Sequence, residues 1–189
     1  MAAEDCVLTS SGVSDKVERE KFKTKHYWDE RYKNEETFDW FGELSSFEHL
    51  LFQHLNPTDR ILNLGCGNSS LSTSLYMKGY QHIDNIDFSS TVISKMKEQT
   101  LIKMPNMKWH VMDMLDLKFD SETYDVVLDK GSIDALMVDQ EDVWNPKQEV
   151  INNVEKALQE VGLPTELPTK LITCLFPLAT HIHIGFQPP

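Results

Sequence analysis

Two glycines and three acids stand where this sequence could do chemistry. Gly65 and Gly67 follow at once on the apolar run Ile61-Leu62-Asn63-Leu64, Asp87 comes twenty residues after Gly67, and Asp113 and Asp129 end two later apolar stretches. A glycine turn lets backbone approach a ligand that side chains would hold off, and an acid about 20 residues further on is spaced to accept hydrogen bonds from ribose hydroxyls. A dinucleotide would press its pyrophosphate on a third glycine, but Ser70 stands at that position. S-adenosylmethionine carries no phosphate and tolerates the change. The plain alternative is a tight turn for the glycine pair and a helix cap for each acid.

The elements that would bring these residues together alternate. Strands are predicted at Ile61 to Leu64, Ile83 to Asp87, Met107 to Met112 and Tyr124 to Leu128. Helices are predicted from Ser70 to Lys78, from Ser90 to Gln99 with Ser89 or Ser90 as cap, and from Gln148 to Glu160. In the last of these Val150, Val154, Ala157, Leu158 and Val161 form the apolar stripe and Gly162 the stop. Such alternation implies an α/β fold whose parallel sheet has right-handed crossovers. Ligands lie beyond the carboxyl ends of the strands in such sheets, and Gly65, Asp87, Asp113 and Asp129 all fall at those ends. Upstream, Lys21 to Lys33 brings Tyr27, Trp28 and Tyr32 near one helical face. Phe38-Asp-Trp-Phe-Gly42 reads as an aromatic loop, and Leu44 to Leu55 as a helix with Leu44, Phe47, Leu51 and Leu55 as its stripe.

Composition narrows the function. A chain of 189 residues with 40% hydrophobic and 25% charged residues suits one soluble domain. Its net charge of -12 argues against a general nucleic-acid binder, which needs a basic face. Cys6, Cys66 and Cys174 are far apart and odd in number, which points to a reducing compartment rather than a disulfide scaffold or a zinc site. No apolar run reads as a signal peptide or a membrane span.

Leu64-Gly-Cys-Gly-Asn-Ser69, Asn85-Ile-Asp-Phe-Ser-Ser90 and Tyr124-Asp-Val-Val-Leu-Asp-Lys-Gly-Ser-Ile-Asp-Ala-Leu136 together resemble class I S-adenosylmethionine-dependent methyltransferases. The resemblance is to the methyltransferase-like subgroup that modifies lysines of translation elongation factor 1-alpha. Tyr27-Trp-Asp-Glu-Arg-Tyr32 and Phe38-Asp-Trp-Phe-Gly42 match its N-terminal signature. The resemblance implies a Rossmann-like methyltransferase fold over residues 19–162, preceded by a disordered tail, 1–18. It implies a cytoplasmic, monomeric protein-lysine N-methyltransferase that uses S-adenosyl-L-methionine, releases S-adenosyl-L-homocysteine and has elongation factor 1-alpha as protein substrate. No metal, membrane or nucleic-acid partner is implied.

The same resemblance implies roles. Gly65 approaches the methionine part of the cofactor, Asp87 holds the ribose hydroxyls and Phe88 lies against the adenine. Asp113 accepts from the adenine amino group and Met114 offers its backbone N–H to the ring. Lys130 contacts the cofactor through its backbone, because an ammonium beside a sulfonium is repulsive. Trp28, Tyr32 and Trp40 close the site, their faces suited to a cation; ordinary core aromatics are the alternative. Asp129 and Asp134 are candidates to hold a substrate ammonium at the mouth, Asp134 equally a helix-surface acid.

After Gly162 the resemblance ends, and residues 163–189 read as a divergent tail of a truncated or alternatively spliced form. Strand four is then expected to lose its outer neighbour and to become an exposed apolar edge, unless Leu171 to Phe176 pairs there as a substitute strand. A weak or inactive cofactor-binding isoform is therefore the second functional reading, and a small-molecule methyltransferase the third.

Overall fold

The computed structural model describes residues 20–120, 123–137, 147–161, 170–174 and 182–185. The expected tail at 1–18, and all of 163–189 apart from the two strands below, lie outside the described residues.

The centre is β1, Ile61–Leu64, all four residues of which are buried. It pairs in parallel with β2, Ile83–Asp87, on one side and β4, Val126–Asp129, on the other. Strands covered on both faces read as unbroken apolar runs rather than alternating ones. Their side chains still alternate between two cores: Ile61, Ile83, Val126 and Leu128 join one cluster, and Leu62, Leu64, Ile86 and Val127 the other. β3, Lys108–Val111, pairs outside β2 and forms that edge.

On the first face lie α1 (Lys25–Asn34), α3 (Leu71–Met77) and α4 (Ser90–Thr100), which contribute Trp28 and Tyr32, Leu71 and Leu75, and Val92, Ile93 and Met96 to the core. Ser89 caps α4 by accepting the Val92 N–H. Gly79, at φ +103°, ends the turn after α3. On the other face α6, Gln148–Glu160, seats the cluster with Leu158, and Val161 follows it into the same core. One helix had no range predicted for it, although Asp134 read equally as a helix-surface acid: α5, Ser132–Met137, directly after β4.

The helix expected from Leu44 to Leu55 is broken. A 3-10 turn, Leu44–Ser46, is followed by a single α-turn, α2, Glu48–Leu51, and the backbone kinks at Phe47 (φ -134°, ψ 5°). The apolar stripe survives the kink, for Leu44, Phe47, Leu51 and Leu55 are all buried. Burial of the ring outweighs helix continuity at that residue.

The sheet continues past β4. β5, Lys170–Cys174, pairs with β4 in parallel, with Val126 opposite Lys170 and Asp129 opposite Thr173. β6, Ile182–Gly185, pairs antiparallel with β5, giving the order β3-β2-β1-β4-β5-β6. The exposed edge expected for strand four is thus corrected: the tail supplies replacement strands, and the backbone groups of β4 find partners on both sides. Cutting the chain after Val161 would remove that partner. The expected outcome is a loss on the order of 3 kcal/mol, a fall of about 6–12 °C in melting temperature, and self-association through the bared edge. Scanning calorimetry with size-exclusion chromatography checks it; an unchanged, monomeric truncation would mean that β5 contributes nothing to the fold.

Candidate functional site

The strand order reverses between β1 and β4, and a cleft opens there, at the carboxyl ends of the strands. Trp28, Tyr32, Trp40, Gly65, Asp87, Phe88, Asp113, Met114 and Lys130 all line it. Every cofactor-binding residue named from the sequence therefore falls in one cleft.

Asp87 ends β2 at the cleft floor and is 3% exposed. Its two oxygens accept the backbone N–H groups of Gly67 (3.0 Å) and Ser89 (2.8 Å). Burial pushes its carboxyl up to about 6, against the partial relief of those two bonds. Each carboxylate oxygen can accept a further bond, so the group suits ligand hydroxyls. Asp113 is exposed and turns one oxygen to the Leu115 N–H (2.9 Å). Phe88, Met112, Met114, Leu115 and Leu136 give the cleft an apolar wall fitted to a flat ring.

Gly65 and Gly67 both have φ +50°. A Cβ on Gly65 would stand 2.1 Å from Ser132 Oγ, and one on Gly67 2.8 Å from the Tyr32 hydroxyl. Glycine is required here by packing against protein side chains, which is a different reason from close approach to a ligand. Cys66 between them is buried and free, and burial drives its thiol pKa well up, so it holds its proton.

The aromatic wall comes from α1 and the loop after it. Trp28 stacks on Tyr32 (centroids 5.5 Å, 25°), and the Trp28 indole N–H donates to the Phe22 carbonyl (2.6 Å). Burial raises the Tyr32 hydroxyl far above its ordinary value, so it stays neutral. Among the described residues these rings meet the cation of Arg31, whose guanidinium lies 5.5 Å from Trp28, 5.2 Å from Trp40 and 4.9 Å from Phe38.

Three acids of this N-terminal stretch tie it to the cleft. Asp29 accepts from Ser89 Oγ, Glu35 accepts from Asn68 Nδ2 (3.0 Å), and Asp39 accepts from Ser69 Oγ (2.6 Å), Ser70 Oγ (2.7 Å) and Lys130 Nζ (2.6 Å). None was found from the sequence, because each bond spans 30 residues or more. Lys130 lines the cleft and turns its ammonium to Asp39 and to the Gly42 carbonyl (3.3 Å). Asp129 does not reach the cleft mouth. It accepts the N–H groups of Ser132 (3.0 Å) and Ile133 (3.1 Å) and so caps α5, the alternative that acids after strands always carry. Asp134 lies on α5 and is not among the cleft-lining residues.

A family model described as a methyltransferase domain matches residues 55–168. EEF1A lysine methyltransferase 4 of Mus musculus is 39% identical over 145 residues, 75% of this chain and 56% of that protein. Its Bos taurus counterpart is 37% identical over 161 residues, 83% of this chain and 63% of the relative. The chain thus spans roughly three-fifths of the length of these curated relatives. Among solved structures, a protein of Pyrococcus horikoshii OT3 superposes with TM-score 0.55 at 23% identity, over 76% of this chain and 64% of that one. A glycopeptide N-methyltransferase complexed with S-adenosyl-L-homocysteine superposes with TM-score 0.53 at 13% identity, over 72% and 54%. At such identities these likenesses speak for the fold. The chain belongs to the methyltransferase-domain family, with the Rossmann-like sheet and the S-adenosyl-L-methionine cofactor of that family.

Proposed function

We propose that this chain transfers the methyl group of S-adenosyl-L-methionine to a lysine of a protein substrate, and that the substrate is translation elongation factor 1-alpha. The observation that supports the transfer is the cleft lined by Gly65, Asp87, Phe88, Asp113 and Lys130 at the sheet's switch point. The substrate class rests on the names of the curated relatives, which are lysine methyltransferases of that factor.

In this reading Asp87 accepts from the ribose hydroxyls, and Phe88 with Met114 encloses the adenine. The cofactor, when bound, supplies an electrophilic methyl group on a cationic sulfur. Methyl transfer is an in-line displacement by a neutral amine about 3 Å from that carbon, so orientation supplies most of the rate. Trp28, Tyr32 and Trp40 exclude water, and a lysine entering an apolar cleft loses its proton more readily as burial disfavours the ammonium. The weakly active isoform has less behind it now, since β5 covers the edge of β4.

The test is tritiated cofactor with recombinant elongation factor 1-alpha and, in parallel, with cell lysate. A labelled protein band of that factor, with the label on lysine, is expected. Label on free amino acids or nucleic acid, with no protein band, would reject the reading.

A further inference from the structure

The Lys130 and Asp39 side chains are 6% and 9% exposed, and their charged ends are 2.6 Å apart. Lys130 lines the cleft, whereas Asp39 sits behind it, in the loop that carries Phe38 and Trp40. Burial works to raise the Asp39 pKa. The bonds from Lys130, Ser69 and Ser70 outweigh it and hold the carboxyl below its ordinary value, so the pair is ionic. A buried ion pair contributes little to stability compared with apolar packing, so its presence calls for another reason. The cleft offers one. A cation bound there lies in the field of the Lys130 ammonium, whose charge the paired carboxylate of Asp39 cancels.

We infer that Asp39 is a positioning residue that sets the charge preference of the cleft: by neutralising Lys130 it lets a cationic sulfonium bind as well as the neutral thioether left after methyl transfer. The inference rests on the cofactor reading above. It goes beyond that reading because it assigns Asp39, which does not line the cleft, the balance between methyl donor and product. Its consequence is turnover. Without the carboxylate the cleft favours product over donor, and the protein becomes product-inhibited.

S-adenosyl-L-methionine and S-adenosyl-L-homocysteine differ by one methyl group and one positive charge, so the ratio of their dissociation constants reads the local charge. Isothermal calorimetry gives that ratio for the wild type, D39N, K130Q and the double variant. At an effective dielectric of about 20, one uncancelled charge about 12 Å away shifts the ratio roughly tenfold. D39N is expected to weaken the methyl donor about tenfold more than the product. K130Q leaves the carboxylate held by Ser69 and Ser70 and is expected to shift the ratio the other way. The double variant returns it to within about twofold of the wild type. K130Q carries the test whether or not D39N folds. A merely structural role would weaken both ligands alike and lower the melting temperature, and a ratio unmoved in K130Q overturns the inference while leaving the cofactor reading intact. Failure of the wild type to bind either ligand overturns the cofactor reading, and this inference with it.

Discussion

Gly65→Ala is expected to lower stability by about 2–5 kcal/mol, a large share of what a domain of this size possesses. Two costs add. At φ +50° an alanine pays for a left-handed backbone, about 1–2 kcal/mol. The new Cβ would also stand 2.1 Å from Ser132 Oγ and 2.7 Å from Ser132 Cβ, so α5 must shift from its place at the end of β4. Ser132 cannot simply rotate away, since its hydroxyl donates to the Leu64 carbonyl (3.0 Å) and lies within reach of that of Gly65 (3.2 Å). Gly79→Ala is the control: its φ is +103°, but its Cβ would meet nothing within 4 Å, so only the backbone cost applies. Denaturant melts of both variants and of Gly65→Ala combined with Ser132→Gly check the account. The double variant should recover the steric part, a coupling of about 1–3 kcal/mol, and keep the backbone part. Equal losses for Gly65→Ala and Gly79→Ala would mean that Ser132 gives way freely.

That pair of residues also marks how far the sequence could be read. Local signals came through. β2 is found over Ile83–Asp87 and α6 over Gln148–Glu160, as their periodicity requires, because burial of one stripe or one strand is a property of neighbouring residues. The convergence of Gly65, Asp87 and Asp113 was legible too, since parallel α/β topology sends all strand ends to one side. What the residues touch was not legible. Gly65 needs its missing side chain because of Ser132, 67 positions later, and Asp39 meets Lys130 91 positions away. No local period encodes such pairings. Asp129 shows the same limit from the other side: at the end of a strand it could face a ligand or cap a helix, and α5 decides for the cap. β6 was missed for want of apolar length, and it exists because β5 offers it an edge.

Asp87 should make cofactor binding pH-dependent, and its removal should weaken binding by about one to two orders of magnitude. Burial above all raises its carboxyl from an ordinary 3.8 to about 6, with the Ser89 and Gly67 N–H groups lowering it and Asp29 adding a further push upward. Ribose hydroxyls donate best to the ionised form, so ligand affinity should be flat above pH 6 and weaken below it, approaching tenfold per pH unit. The fold responds with the opposite sign. A carboxyl whose pKa is raised by folding binds its proton more tightly in the folded chain. Its favourable contribution is complete below about 3.8 and lost as pH rises through about 6. One residue thus favours ligand at high pH and the empty fold at low pH. Asp87→Ala should cost binding about 1.5–3 kcal/mol, a loss of roughly 10–150-fold, by removing charge-assisted bonds to the ribose. Asp87→Asn, which keeps the shape and cannot ionise, should flatten the pH profile of binding between 5 and about 7. Calorimetric titrations with S-adenosyl-L-homocysteine at several pH values separate the outcomes. Wild-type affinity that does not change across that range, or an Asp87→Ala variant that binds as tightly as the wild type, would remove Asp87 from the ribose and leave it as the anchor of the glycine turn through Gly67 alone.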